Sequence, residues 1–429
     1  MKKLYIIGLA VCGLASCKPN IDPDTPSNGE VIVERYLAVG GSTTAGYTDG
    51  SLFKTGQNFS FPAILASQFE LVGGGDFKQP LLPGNDGYPV PQFILHVYRP
   101  GEGCDTSTRI APKRYDVAPD TFGSSVSIAQ DGAYNNTGIP GIRITDYLMT
   151  GYAKANPFAR RFFANLEWRP IDDIVRVNHT FFTLWAGSND VLDYALGGGD
   201  QSGIQITEAG KFDDAYDSVL TNLVRKGAKG VALNLPDINN IPFFTTIPAK
   251  GLTLTKREAD DLNIQYNGTA VHFKEGLNYF VVHDGTQPRH VREGEMILLS
   301  LPMDSVRCKK WGSAIPLHGR FVLTADEVSK VNAAVAQFNE TIMVRSAQKH
   351  VAVADMNAFY KTVQSGIGFN GITYNATFVS GSFFSLDGIH PTARGYALIA
   401  NQVINKINEQ YNATIPHADP NKYPGLQFP

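Results

Sequence analysis

Three short apolar runs in this chain each end abruptly in a turn, and helical patterns separate them. Tyr36-Leu37-Ala38-Val39 stops at Gly40-Gly41-Ser42, residues 180–186 stop at Gly187-Ser188-Asn189-Asp190, and residues 230–235 are broken by Pro236. Such runs are the mark of strands buried on both faces of a sheet. A fourth run, residues 351–354, follows later. Ser60 stands at a helix N-cap with Pro62 in the first turn, and Phe61, Ile64, Leu65 and Phe69 share one face. Phe212, Tyr216, Val219, Leu220, Leu223 and Val224 mark a longer helix that closes near Gly227. Strands alternating with helices in this order predict βαβ units and a parallel α/β sheet.

Two stretches interrupt the alternation. Residues 71–127 are rich in Gly, Pro and Asp and show no clear period, and residues 243–323 hold only short strand-like pieces. Both read as excursions from the sheet. A capping box at Thr324 and Glu327 then opens a helix with Val328, Val331, Val335, Phe338 and Ile342 on one stripe. The last helix spans about residues 393–411, and a tail, residues 412–429, is expected along the surface. The unit as a whole is placed at residues 34–411.

Composition narrows the function. The chain has 429 residues, 43% of them hydrophobic and 18% charged, which excludes a disordered or collagen-like protein. Its 37 Lys and Arg against 40 Asp and Glu give a net charge of −3 without any basic run, so nucleic acid is not expected as a partner.

Met1-Lys2-Lys3 followed by an apolar stretch and Leu14-Ala15-Ser16-Cys17 reads as a secretory signal, residues 1–16. The stretch is too short for a membrane-spanning helix, which needs about 20 residues. The segment ending in Cys17 resembles a bacterial lipobox, which implies cleavage before Cys17, lipid attachment to it and loss of two positive charges; simple secretion with an unmodified Cys17 is the alternative. Residues 17–33, with Pro19, Pro23 and Pro26, then form a disordered tether. The expected location is the bacterial cell envelope, with the protein anchored by lipid on the periplasmic or surface face of the outer membrane. Cys104 and Cys308 remain; in an oxidising compartment they could pair, and two unpaired structural thiols are the alternative. No cysteine spacing of the metal-binding kind occurs.

Four segments could carry chemistry, and all lie at strand ends or in loops entering helices, where a doubly wound sheet places its site. Ser42 follows a buried strand with glycines beside it, which can expose its hydroxyl; alone, such a Gly-Gly-Ser is more often a helix cap. Asn136-Thr137-Gly138-Ile139-Pro140-Gly141 can bring a backbone N–H close to a ligand. Asn189 could donate to an oxyanion or simply cap a helix. Ser385-Leu386-Asp387-Gly388-Ile389-His390-Pro391 is the most specific: an Asp three residues before a His on a tight loop can orient the imidazole and leave its other nitrogen as a base.

The order Ser, Gly, Asn, then Asp-x-x-His-Pro resembles the block pattern of the SGNH (GDSL-type) hydrolases. The resemblance spans about residues 35–411 and skips both excursions. It implies a doubly wound, flavodoxin-like parallel sheet flanked by helices, with two long insertions. In its terms Ser42 is the nucleophile, Asp387 and His390 complete the triad, and an oxyanion hole forms from the N–H groups of Ser42 and Gly141 and the Asn189 side chain. One position departs from the pattern: the usual Gly-Asp-Ser is Gly40-Gly41-Ser42 here, so the motif's aspartate is missing.

The implied activity is hydrolysis of carboxylic esters through an acyl-serine, which requires no metal or organic cofactor. Lipid or small acyl esters are the expected substrates. A carbohydrate O-acetyl esterase is the alternative, and a non-catalytic envelope lipoprotein that binds with the same fold is a third reading. The insertions carry Phe93, Tyr98, Phe243, Phe244, Phe273, Tyr279 and Trp311, which could wall a lipid-accepting cleft or stack on sugars.

Overall fold

A computed structural model describes residues 25–429 apart from residues 103, 105, 120, 122–124 and 284. The leader, Cys17 and the first part of the tether lie outside the described residues. The framework begins with β1 (Tyr36–Gly40), α1 (Ser42–Ala45) and α2 (Phe61–Glu70), followed by a hairpin of β2 (Phe93–Tyr98) and β3 (Arg109–Arg114). It continues through β4 (Asn136–Gly138), β5 (Phe181–Trp185), α3 (Asn189–Leu196), α4 (Ala209–Leu223) and β6 (Lys229–Leu233). Past a second insertion that holds α5 (Met303–Lys309) come α6 (Ala325–Gln348), β7 (Ala352–Ala354) and α7 (Ala393–Tyr411).

The main sheet is parallel throughout, in the spatial order β7-β6-β5-β1-β4. From its first strand the chain steps to one side, then returns past β1 to build the other side. That is the doubly wound, flavodoxin-like arrangement, whose ligands bind outside the carboxyl ends of the strands where the winding reverses. β1 and β5 are buried along their whole length, as strands covered on both faces must be. On one side α2 packs against α7, and on the other α4 packs against α6. Apolar faces of these helices and both sides of the sheet merge into one large core.

Register places the chemistry. Gly40 stands opposite Trp185 on β5 and Gly138 on β4, so three strands end at the same level and their following turns meet.

The insertions are more ordered than their composition suggests. The first forms the β2–β3 hairpin, in which Pro112 sits opposite Leu95. A two-stranded ribbon has two open edges, so it tolerates a residue with no N–H to donate. The second builds its own apolar clusters, one around Phe280, Val291, Ile297 and Leu317 and one around Leu262, Tyr266 and Phe273. Cys104 in the β2–β3 loop and Cys308 on α5 form a disulfide, and Arg109 donates to Asp304 at 2.9 Å alongside it. The two insertions are thereby joined.

Both chain ends depart from expectation. Residues 25–33, read from sequence as part of a disordered tether, are docked: Val31 and Val33 are buried in the core, and Glu30 N–H donates to Tyr411 O at 2.8 Å. The alternating valines give this segment an apolar face to bury, and the end of α7 supplies an open carbonyl. The tail folds back along α7 instead of merely lying on the surface, burying Ile415 and Ala418 and closing a two-way bond between Asn401 and Ala418.

Candidate active site

The turn after β1 is tight. A Cβ on Gly40 would stand 2.1 Å from Thr44 Oγ1 and 2.6 Å from Trp185 O, so only glycine lets the chain leave the strand here. α1 then starts at Ser42. Ala45 N–H donates to Gly41 O at 3.0 Å and Tyr47 N–H to Ser42 O at 3.0 Å, which fixes the serine without help from a side chain at position 41. A Cβ at Gly41 would lie 3.4 Å from Asn189 Nδ2, so the two segments are in contact.

Residues 385–392 form a loop closed on itself. Ser385 N–H donates to His390 O at 2.8 Å, and Thr392 caps α7 by accepting from Gly395 N–H at 3.1 Å. Inside the loop Asp387 Oδ1 accepts from the N–H groups of Ile389 and His390, each at 2.8 Å, and from Ser385 Oγ at 3.0 Å. Its Oδ2 accepts from Gly50 N–H at 2.9 Å and faces His390 Nδ1 at 2.8 Å. Burial alone would raise the Asp387 carboxyl; the imidazole of His390 and the donated N–H groups outweigh it and hold the group below the ordinary carboxylate value. It therefore stays ionised.

His390 Nε2 lies 2.8 Å from Ser42 Oγ, across 348 residues of sequence. With Nδ1–H donating to the carboxylate, Nε2 is left as an acceptor for the serine O–H, so the chain of contacts can carry a proton off the hydroxyl. The Tyr47 ring lies 4.8 Å from the imidazole and shields one side of it.

Two further groups converge on the serine. Gly141 has a φ of +83° and an open surround, so its backbone faces the cleft that Ser42 and His390 also line. Asn189 opens α3 and donates from Nδ2 to Ile142 O at 2.9 Å, which ties the amide to the Gly141 loop, and it lines a small hollow together with Ser42. The neighbouring Asp190 is fully buried and accepts from Ile144 N–H at 2.8 Å, locking the same loop to α3. Burial pushes its carboxyl up to about 6.

All five residues singled out in the sequence for the site, Ser42, Gly141, Asn189, Asp387 and His390, thus meet at the carboxyl edge of the sheet. Three groups that hold them were not singled out. Asp49 Oδ1 accepts from Leu386 N–H at 2.9 Å, Asp49 N–H donates to Ser385 Oγ at 2.9 Å, and Gly50 anchors Asp387. Asp-Gly in sequence signals only a turn.

The serine and histidine open into a cleft of about 1140 Å³ walled by both insertions. Phe93, Tyr98 and Phe243 line it as expected. Phe244 and Phe273 do not, being buried in cores, while Tyr279 lies beside Lys250 and Trp311 beside Phe321. These four satisfy packing within the second insertion and beneath it.

A parallel five-stranded sheet with these segments at its winding reversal is the α/β fold of the SGNH hydrolases. The chain belongs to the GDSL-like lipase/acylhydrolase family: the family model matches residues 36–403. It is an ester hydrolase by that membership. Among solved structures it is similar to the lipase/acylhydrolase from Enterococcus faecalis, at 11% identity over 89% of this chain and 98% of that one, with a TM-score of 0.34. Phospholipase A1 from Streptomyces albidoflavus is similar at 13% identity over 87% of this chain and 100% of that one, TM-score 0.35. An acetyl xylan esterase is similar at 14% identity over 63% and 78%, TM-score 0.29. No curated protein matches the chain in sequence.

Proposed function

We propose that this protein is a serine esterase that cleaves lipid or small acyl esters through an acyl-serine at Ser42. The observation that carries the reading is the unbroken series Ser42 Oγ to His390 Nε2 at 2.8 Å and His390 Nδ1 to Asp387 Oδ2 at 2.8 Å. Ser42 Oγ attacks the ester carbonyl while His390 takes its proton, and Asp387 holds the imidazolium. The oxyanion accepts from the N–H groups of Ser42 and Gly141 and from the Asn189 amide. Collapse of the intermediate expels the alcohol, which takes the proton from His390. Water, deprotonated by His390, then attacks the acyl-serine, and the serine leaves with that proton.

An apolar substrate part fits the cleft, whose walls include Phe93, Phe158, Phe243, Phe280 and Leu299. In the same reading residues 1–16 are a lipoprotein leader and Cys17 carries lipid, which tethers the enzyme at the bacterial envelope close to such esters. Mass spectrometry of the mature N-terminus tests this part; an unmodified Cys17 overturns it. A series of p-nitrophenyl acyl esters of increasing chain length, run on wild type and Ser42→Ala, tests the activity. Hydrolysis extending to acyl chains well beyond acetyl in wild type alone is expected. Release of acetate only would select a deacetylase, and equal rates in Ser42→Ala would overturn the assignment.

A further inference from the structure

We propose that the substrate carries an anionic carboxylate or phosphate close to its scissile ester, and that Arg114 is the residue that recognises it. This rests on the esterase reading above and names the substrate class of that same site.

Arg114 ends β3 and lines the cleft shared by Ser42 and His390. Its guanidinium is held in place. Nη1 donates to Gly50 O at 2.9 Å and to Pro91 O at 2.7 Å, and the guanidinium carbon stacks 3.7 Å from the centre of the Phe93 ring. Long side chains at an exposed position lose rotamer freedom when fixed. Its hydrogen-bond partners are two neutral carbonyls and its stacking partner a ring, while the Asp387 charge acts on it without a direct bond. A guanidinium has five N–H donors, so with both on Nη1 engaged, Nη2 and Nε remain as a planar edge of the kind that grips a carboxylate or phosphate through two bonds.

Of the other arginines in the cleft wall, Arg109 engages Asp304 at 2.9 Å.

The test compares matched ester pairs that differ in one anionic group: mono-4-nitrophenyl glutarate against its methyl ester, and dihexanoyl phosphatidate against dihexanoylglycerol. Wild type should prefer the anionic member of at least one pair by roughly ten- to a hundredfold in kcat/KM, the range expected for hydrogen bonds to a charged group. The pair that shows it tells carboxylate from phosphate. The preference should shrink at high salt. Arg114→Gln should bring the anionic-to-neutral ratio close to one, and Arg114→Lys should restore part of it. An equal fall on both members would mean that Arg114 only supports the Gly50 turn, and no preference in wild type would equally overturn the proposal. If wild type hydrolyses none of the four, the esterase reading fails by itself. Calorimetric binding of glutarate and of glycerol phosphate to wild type and Arg114→Gln then decides the anion site, with equal or absent binding counting against it.

Discussion

Gly50 and Asp387 are joined by a 2.9 Å hydrogen bond that enters the carboxylate on Oδ2, the oxygen that faces His390. The residue before, Asp49, grips the same loop from outside through Leu386 N–H and Ser385 Oγ. A turn in the segment after α1 therefore holds the Asp387 carboxylate, 337 residues further along the chain.

Asp49 makes this connection sensitive to pH. Burial pushes its carboxyl up to about 7, with the Leu386 N–H opposing and the Asp387 charge adding to the rise. A carboxyl that binds its proton more tightly in the folded state stabilises the fold at low pH. That contribution is lost as pH rises from about 4 through about 7. Asp49→Asn keeps an acceptor for Leu386, and asparagine tolerates the φ of +50° found here. The variant should gain stability relative to wild type between pH 5 and pH 8, on the order of 2 to 3 kcal/mol. Thermal melts at the two pH values check this; a constant difference would contradict it.

Asn189→Ala removes one of the three donors proposed for the oxyanion. A fall of about 10² to 10³ in kcat with little change in KM is expected, because the interaction strengthens only as charge develops. Covalent modification of Ser42 should slow without disappearing. A large rise in KM with kcat intact would assign Asn189 to ground-state binding instead.

Gly40 and Gly41 should respond differently although they are adjacent. Alanine at 40 would drive its Cβ into Thr44 and the Trp185 backbone, at 2.1 and 2.6 Å, which demands movement of β1 or β5. Gly41 has a negative φ of −92° and room for a side chain, with its nearest neighbour at 3.4 Å. Gly41→Asp, which restores the family's Gly-Asp-Ser, should change stability by less than about 1 kcal/mol, whereas Gly40→Ala should destabilise by several times that. Denaturant unfolding of the two variants provides the comparison.

The Cys104–Cys308 disulfide joins the β2–β3 loop to α5 across 204 residues. Replacing both cysteines by serine should lower stability by about 2 to 4 kcal/mol. Both insertions wall the cleft, so acyl-chain preference should broaden while Ser42 stays reactive. Melting and a chain-length series on the double variant test the two halves separately.

The sheet and the five converging residues were legible in the sequence because each is dictated locally. Ser42 and Asn189 follow buried strands, Gly141 lies in a turn before the next helical segment, and Asp387 and His390 share one tight loop. What could not be read depends on partners far away in the chain. Asp49 looks like half of a turn until residue 386 is brought beside it. Arg114 is one of several arginines until Pro91 and Phe93 fix it. The β2–β3 hairpin was hidden by the Gly, Pro and Asp around it and by Pro112 within it. Val31 and Val33 were hidden by the prolines before them. Aromatic content alone did not separate cleft from core: Phe243 faces the cleft, while its neighbour Phe244 is buried in the core.

Reaction with a fluorophosphonate probe, followed by mass spectrometry of the modified peptide, tests the central claim most directly. A single adduct on Ser42, lost in Ser42→Ala and strongly slowed in His390→Ala, is the expected result. An adduct elsewhere, or undiminished labelling and ester hydrolysis in Ser42→Ala, would contradict it.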